Sequence, residues 1–148
     1  MQQGFENFEL NIKLEEGGIM PTRANTSDAG LDVYSPETVD VYPGKDILIP
    51  LNWRCSMPEG YYLLVLNKSG RASKDKLLVG AQVIDSGYRG IAHCNLHNVG
   101  NDFIILNKGE KVAQMVVQQV WSGVPTEVKD LDMITDRGEG GFGSTGLK

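Results

Sequence analysis

Cysteine is scarce in this chain: Cys55 and Cys94 are the only two in 148 residues. Two thiols cannot staple a disulfide scaffold of this length, and the expectation is a pair of reduced, partly buried side chains in a reducing compartment. Long apolar runs are also missing, none approaching the ~18 residues of a membrane-spanning helix. The start "MQQGFENFEL" has no basic segment ahead of an apolar stretch, so no signal peptide is read there and a soluble, cytoplasmic protein is expected. Cations are outnumbered, with 14 Lys and Arg against 19 Asp and Glu and a net charge of -5. That balance argues against stable nucleic-acid binding and against an anionic membrane surface, so any phosphate ligand must meet a local cluster of positive charge. Internal repeats and interior linkers are absent too, and the length suits one domain.

Glycine is plentiful, at 18 residues, which favours a turn-rich β protein. "FELNIKL" sets Phe8, Leu10, Ile12 and Leu14 at period two, the pattern of a half-buried strand. Short runs rich in β-branched and aromatic residues follow at 31–35, 38–44, 46–57, 60–69, 77–85, 91–98 and 102–109, separated by Gly, Pro, Asn or Asp. "EKVAQMVVQQV" fits a helix face through Val112, Met115, Val116 and Val120, yet its four valines favour a strand. "KSGRASKDK" has room for a turn or two of helix. The fold class expected is all-β, a sandwich or jelly roll.

Four places have the residue types for chemistry. Asp85 ends the apolar run "AQVID" and precedes the turn-like "SGYRG" with Tyr88; it reads either as a cap for that turn or as a carboxylate held firmly enough to orient a water. Lys68, Arg71, Lys74 and Lys76 surround Ser69 and Gly70, which is either a solvated basic loop or a phosphate-binding patch. Asp28 and Asp32 flank Gly30, as turn chemistry or as a carboxylate near Mg²⁺ on a polyphosphate. The close of the chain, "RGEGGFGSTG", adds an arginine and a phenylalanine to five glycines, which suits either a bare linker or a lid that grips a phosphate and covers a flat ring. His93 and His97 on one strand would stand about 13 Å apart and could not chelate one ion, so no metal is expected there.

In order along the chain, "SDAGLDVYS", "NKSG", "VIDSGYRG", "KGEKVAQM" and "RGEGGFGSTG" resemble the five motifs of the trimeric dUTP pyrophosphatases, the dUTPase family, over about Pro21 to Gly146. The resemblance implies a jelly-roll domain, 1–136, with a C-terminal arm, 137–148, in a homotrimer whose active sites are each built from three chains. It implies hydrolysis of dUTP to dUMP and pyrophosphate with Mg²⁺. Asp85 would be the base for a water attacking the α-phosphorus, and Tyr88 would lie against the deoxyribose. The hairpin containing Gly80, Val83 and Ile84 would read uracil through main-chain groups. Lys68, Ser69, Gly70 and Gln114 would contact phosphates, and Asp32 would hold Mg²⁺ through water. From the arm, Arg137 would reach the γ-phosphate, Phe142 would stack on uracil, and Gly143, Ser144 and Thr145 would help to order the triphosphate.

Three positions depart from the family pattern. Lys68 replaces the usual arginine, keeping charge but losing the planar fork; Gln82 stands where glycine is usual; Gly87 replaces an acidic residue. Two other readings remain beside dUTP hydrolysis: a dUTPase-fold regulatory protein with weak or no turnover, and a relative of the dCTP deaminases.

Overall fold

Alternation of apolar and polar side chains produces eleven strands among residues 4–132, 134–144 and 146, those described by this computed structural model. They are β1 (Asn11–Leu14), β2 (Leu31–Tyr34), β3 (Val39–Val41), β4 (Asp46–Pro50), β5 (Trp53–Ser56), β6 (Tyr61–Leu66), β7 (Leu77–Val79), β8 (Val83–Asp85), β9 (His93–Asn98), β10 (Ile104–Leu106) and β11 (Lys111–Gln119). One short helix, α1 (Ser69–Ser73), follows β6. No described helix is long and apolar enough to cross a membrane. The all-β expectation holds.

Every pairing is antiparallel. One sheet runs β2-β11-β6-β8 and another β4-β9-β7, with the ribbons β1-β5 and β10-β3 beside them. Their inward residues form one core, in which Val33, Leu63, Val65 and Met115 of the first sheet belong with Ile49, Leu77 and Leu96 of the second and Trp53 of β5. Each large side chain taken fully out of water there contributes about 1.5–3 kcal/mol before the entropy of ordering it is subtracted.

Two runs read as single strands are divided. The 46–57 run breaks at Asn52, whose φ of 56° turns the chain between β4 and β5. The 77–85 run breaks at 80–82, and its halves join different sheets: β7 pairs with β9, whereas β8 pairs with β6. Leu14, placed by its period on the inner face, is 42% exposed. The ambiguous 110–120 segment is the long strand β11, seated between β2 and β6. Its pairing with β2 slips between Lys111 and Ala113, so Val112 and Ala113 are both buried. This bulge breaks period two and gives the sequence its helix-like spacing.

Cys55 and Cys94 are buried free thiols, as expected. Burial pushes both upward, Cys94 to about 12, which keeps its sulfur protonated at neutral pH. Beyond Val120, whose amide donates to Gly60 O at 2.9 Å, no described residue belongs to a strand or helix. The departing segment leaves Trp121, Val124, Leu131 and Ile134 exposed, Ile134 at 93%.

Candidate active site

The first cluster is the hairpin that leaves β8 and returns into β9. Asp85 is the last residue of β8, directly across from Tyr62 of β6. Its carbonyl accepts the Tyr88 amide at 3.1 Å, so the same residue both ends the strand and opens a turn. Its side chain is exposed. Tyr88 Oη donates to Ile91 O at 2.9 Å, closing the hairpin on itself. The phenol ring lies over Gly90, where an added Cβ would come within 2.2 Å of the hydroxyl oxygen, so a side chain at 90 would evict the ring. The returning limb is anchored by Ala92, which donates to Trp53 O and accepts from Leu51, both at 2.9 Å. Between the limbs lies a concavity of about 180 Å³ bordered by Gln82, Val83, Ile84, Asp85, Tyr88 and His93.

Of the hairpin residues singled out in the sequence, Asp85, Tyr88, Val83 and Ile84 meet at this concavity. Gly80 stands before it, with its amide donated to Asn95 O of β9 at 2.9 Å. Gln82 is half-buried, and its carbonyl accepts the Val65 amide at 2.7 Å. His93 donates from Nδ1 to Ile91 O, and His97 Nε2 pairs with Asn95 Oδ1, each at 2.8 Å. No group of three or more potential metal ligands from His, Cys, Asp and Glu occurs among the described residues.

The second cluster gathers where β6 ends. Asp32 of β2 is 6% exposed, and its carboxylate is shared by two ammonium groups: Lys68 Nζ lies 2.5 Å from Oδ1 and Lys111 Nζ 2.7 Å from Oδ2. Burial alone would raise the Asp32 pKa, but hydrogen bonds from Lys111 and Lys68, with their charges, outweigh it and hold it below the ordinary value. Lys111 is correspondingly shifted upward by its hydrogen bond to Asp32 and by that residue's charge. Gln114 lies across from both Asp32 and Leu66, and its Nε2 donates to Asn67 O at 2.9 Å. Gly30 makes room for it: a Cβ there would stand 2.2 Å from Gln114 Oε1. Ser69 and Gly70 begin α1 immediately after Lys68.

The rest of the basic loop is differently employed. Arg71 pairs with Asp75 at 2.8 Å and Glu110 at 3.3 Å, and it donates from Nε to Lys111 O. Lys76 Nζ donates to Ser73 O. Asp28 accepts from the Asn25 amide and side chain, each at 3.0 Å, which is turn chemistry. Each oxygen of Asp32 already faces an ammonium, so a cation approaching this carboxylate meets two positive charges.

In the terminal segment Arg137 donates from Nε to Gly140 O at 2.8 Å, and Ser144 donates its amide to Gly141 O at 3.0 Å. Phe142 is fully exposed with φ 47°, beside Gly143 at φ 94°. Thr145 lies outside the described residues.

Sequence reasoning singled out neither Lys111 nor the two arginines beside the hairpin, Arg54 and Arg89. Lys111 stands inside "KGEKVAQM", so its motif was visible, but its contact with Asp32 depends on the β2-β11 register. Arg54 donates to Arg89 O at 2.7 Å, a pairing between residues 35 apart that no local pattern announces.

A dUTPase family model matches residues 16–146. The deoxyuridine 5'-triphosphate nucleotidohydrolase of Oryza sativa subsp. japonica is 38% identical over 135 residues, 91% of this chain and 78% of that protein. The mitochondrial human enzyme of the same name is 37% identical over 134 residues, covering 90% of this chain and 53% of its own length. A solved dUTPase from Staphylococcus bacteriophage 80alpha, a variant with dUpNHpp, superposes with a TM-score of 0.86 at 30% identity, over 94% of this chain and 99% of that one. A variant dUTPase from phage phi11 of S. aureus, described with a structural Mg(II) ion, gives 0.78 at 28% identity over 84% of this chain and 99% of the other.

Proposed function

Because the chain belongs to the dUTPase family, we propose that it hydrolyses dUTP to dUMP and pyrophosphate, with Asp85 taking the proton from the attacking water. The observation that carries this reading is the hairpin: an exposed carboxylate ends a paired strand and Tyr88 folds over the adjoining concavity. Main-chain groups on β8 and the turn would read the uracil edge. The wrong base would then leave buried donors or acceptors unmatched. The Tyr88 ring, tethered at Ile91 O, would lie against the deoxyribose and crowd a 2′-hydroxyl.

The phosphates belong to the other cluster. Lys68, Ser69, Gly70 and Gln114, joined by Lys111, would receive them, and the reaction depends mainly on holding the α-phosphorus in line with the water while charge is neutralised. Mg²⁺ would arrive on the triphosphate as part of the substrate, retaining waters, because the described residues offer no carboxylate cage. Asp32 would meet those waters most readily where Lys68 or Lys111 turns from the carboxylate to a phosphate. The ion supplies charge neutralisation on the phosphate oxygens.

Three copies would share each site. Supporting this is the distance between clusters: Asp85 on β8 lies across from Tyr62, whereas Asp32, which holds Lys68, lies beyond Gln114 from Leu66, so four residues along β6 and three strand spacings across the sheet set the two carboxylates' main chains about 20 Å apart. That is too far for one carboxylate and one ammonium of the same chain to act on a single phosphate group. A second protomer would bring the missing half, and a third would lend the arm of residues 137–148, with Arg137 on the γ-phosphate, Phe142 over uracil and Gly143, Ser144 and Thr145 along the triphosphate. The exposed apolar residues from Trp121 to Ile134 favour a segment that leaves its own body for another.

The names of the relatives support pyrophosphate release over deamination and over a scaffold without turnover. A panel of dUTP, dTTP, dCTP and UTP with Mg²⁺ tests the reading. Pyrophosphate from dUTP alone is expected; ammonia from dCTP, or binding of dUTP without hydrolysis, would overturn it.

A further inference from the structure

The turn bearing Asp85 and Tyr88 is held by two arginines that do not line the concavity. Arg89 curls back so that Nη1 donates to Ser86 O at 2.6 Å and Tyr88 O at 3.1 Å, with Cys55 O of β5 at 3.5 Å. Arg54, on β5, splits its guanidinium: Nη1 donates to Arg89 O at 2.7 Å and Nε to Glu15 Oε1 at 2.8 Å. Lys13 reaches the same carboxylate oxygen at 3.4 Å. The turn is thereby connected through Arg54 to Glu15 at the end of β1, by residues that do not line the concavity.

This turn needs outside support because its own sequence is loose. Gly87 and Gly90 stand in it, and its own bonds, from the Tyr88 amide to Asp85 O and from Tyr88 Oη to Ile91 O, are neutral. Charge-assisted hydrogen bonds are roughly twice as strong as neutral ones, and a planar fork fixes direction as well as distance. Arg89 O is the carbonyl one residue past Tyr88, and the next residue is the glycine beneath the Tyr88 ring. Movement at that peptide therefore reaches the ring first and the Asp85 carbonyl next.

We infer that Arg54, acting through Arg89, is a positioning residue that sets the pose of the Asp85–Ile91 hairpin and with it turnover and sugar discrimination, an inference resting on the dUTP reading. Neither arginine touches the concavity through which the substrate would be held. Their contribution is geometric.

The test compares Arg54→Ala, Arg54→Lys and Glu15→Gln with the wild type, as assembled full-length protein, in kcat and KM for dUTP and UTP and in amide exchange at Tyr88. For Arg54→Ala a kcat loss of about tenfold is expected with a smaller change in KM, since ~1 Å misplacements cost up to about a hundredfold. Preference for dUTP over UTP should narrow, and the Tyr88 amide should exchange faster while β9 amides do not. Lysine should fail to restore any of this, because its ammonium lacks the planar fork that aims Nε at Glu15 and Nη1 at Arg89 O, and Glu15→Gln should fall between. Wild-type kcat, preference and Tyr88 exchange in Arg54→Ala would overturn the inference, as would a loss shared equally by both substrates with exchange rising everywhere. Should the wild type not hydrolyse dUTP, the functional reading fails separately, and Tyr88 exchange alone then decides: faster supports the positioning role, unchanged removes it.

Discussion

Asp85 and Lys68 stand at opposite ends of strand β6, the first beside Tyr62 and the second just past Leu66. If a functional site needs both, subunits defective in one should complement subunits defective in the other. Asp85→Asn and Lys68→Ala proteins, each with little dUTP turnover, should regain activity when unfolded together and reassembled, to about a quarter of wild type for random mixing. Activity no greater than the sum of the separate variants would place both groups in one chain's site.

Asp32 supports a pH prediction whose sign follows from its lysines. Its folded pKa is held below the ordinary 3.8, so the stabilisation is present above that value and disappears as pH falls through the lower folded one. Asp32→Asn should lower Tm by about 5 °C at pH 7. In melts at progressively lower pH the gap between variant and wild type should close below 3.8. A gap independent of pH would show that the ion pairs do not link folding to protons.

Gly30→Ala should disturb the phosphate cluster from beneath. A Cβ 2.2 Å from Gln114 Oε1 must push that side chain away from Asn67 O. Overpacking of this kind costs about 1–3 kcal/mol. Urea unfolding should show it, and KM for dUTP should rise with kcat less affected. Unchanged stability would mean that Gln114 moves freely.

Removal of residues 137–148 should leave circular dichroism and Tm nearly unaltered, because among the described residues Arg137 and Ser144 bond within that segment and Gly138 reaches no further than Thr135 Oγ1, at 2.9 Å. Turnover should nonetheless fall by about a hundredfold or more if that segment closes the site. Cutting back to Val120 should additionally change the oligomeric state, read by sedimentation. Normal hydrolysis by the shorter truncation would end the lid assignment.

Much of the sheet structure was legible because strand formation here is local: alternating apolar residues bounded by Gly, Pro and Asn mark β2, β6 and β9 directly. Breaks were less legible. Asn52 turns the chain with a positive φ that its neighbours do not signal, and the sheet change between β7 and β8 is settled by which partner each half finds. Asp85 and Tyr88 could be singled out because they share one turn. The Lys111 contact with Asp32 and the Arg54 contact with Arg89 join distant strands through register, and register is a property of the folded sheet.

The depth of Cys94 has a practical sequel. Its sulfur sits at 0% exposure between β4 and β7 with a pKa of about 12, so an alkylating reagent at neutral pH finds neither access nor thiolate until those strands part. The rate at which that position takes up a label is thus a native clock for opening of the three-stranded sheet, readable by mass without engineering in a new residue.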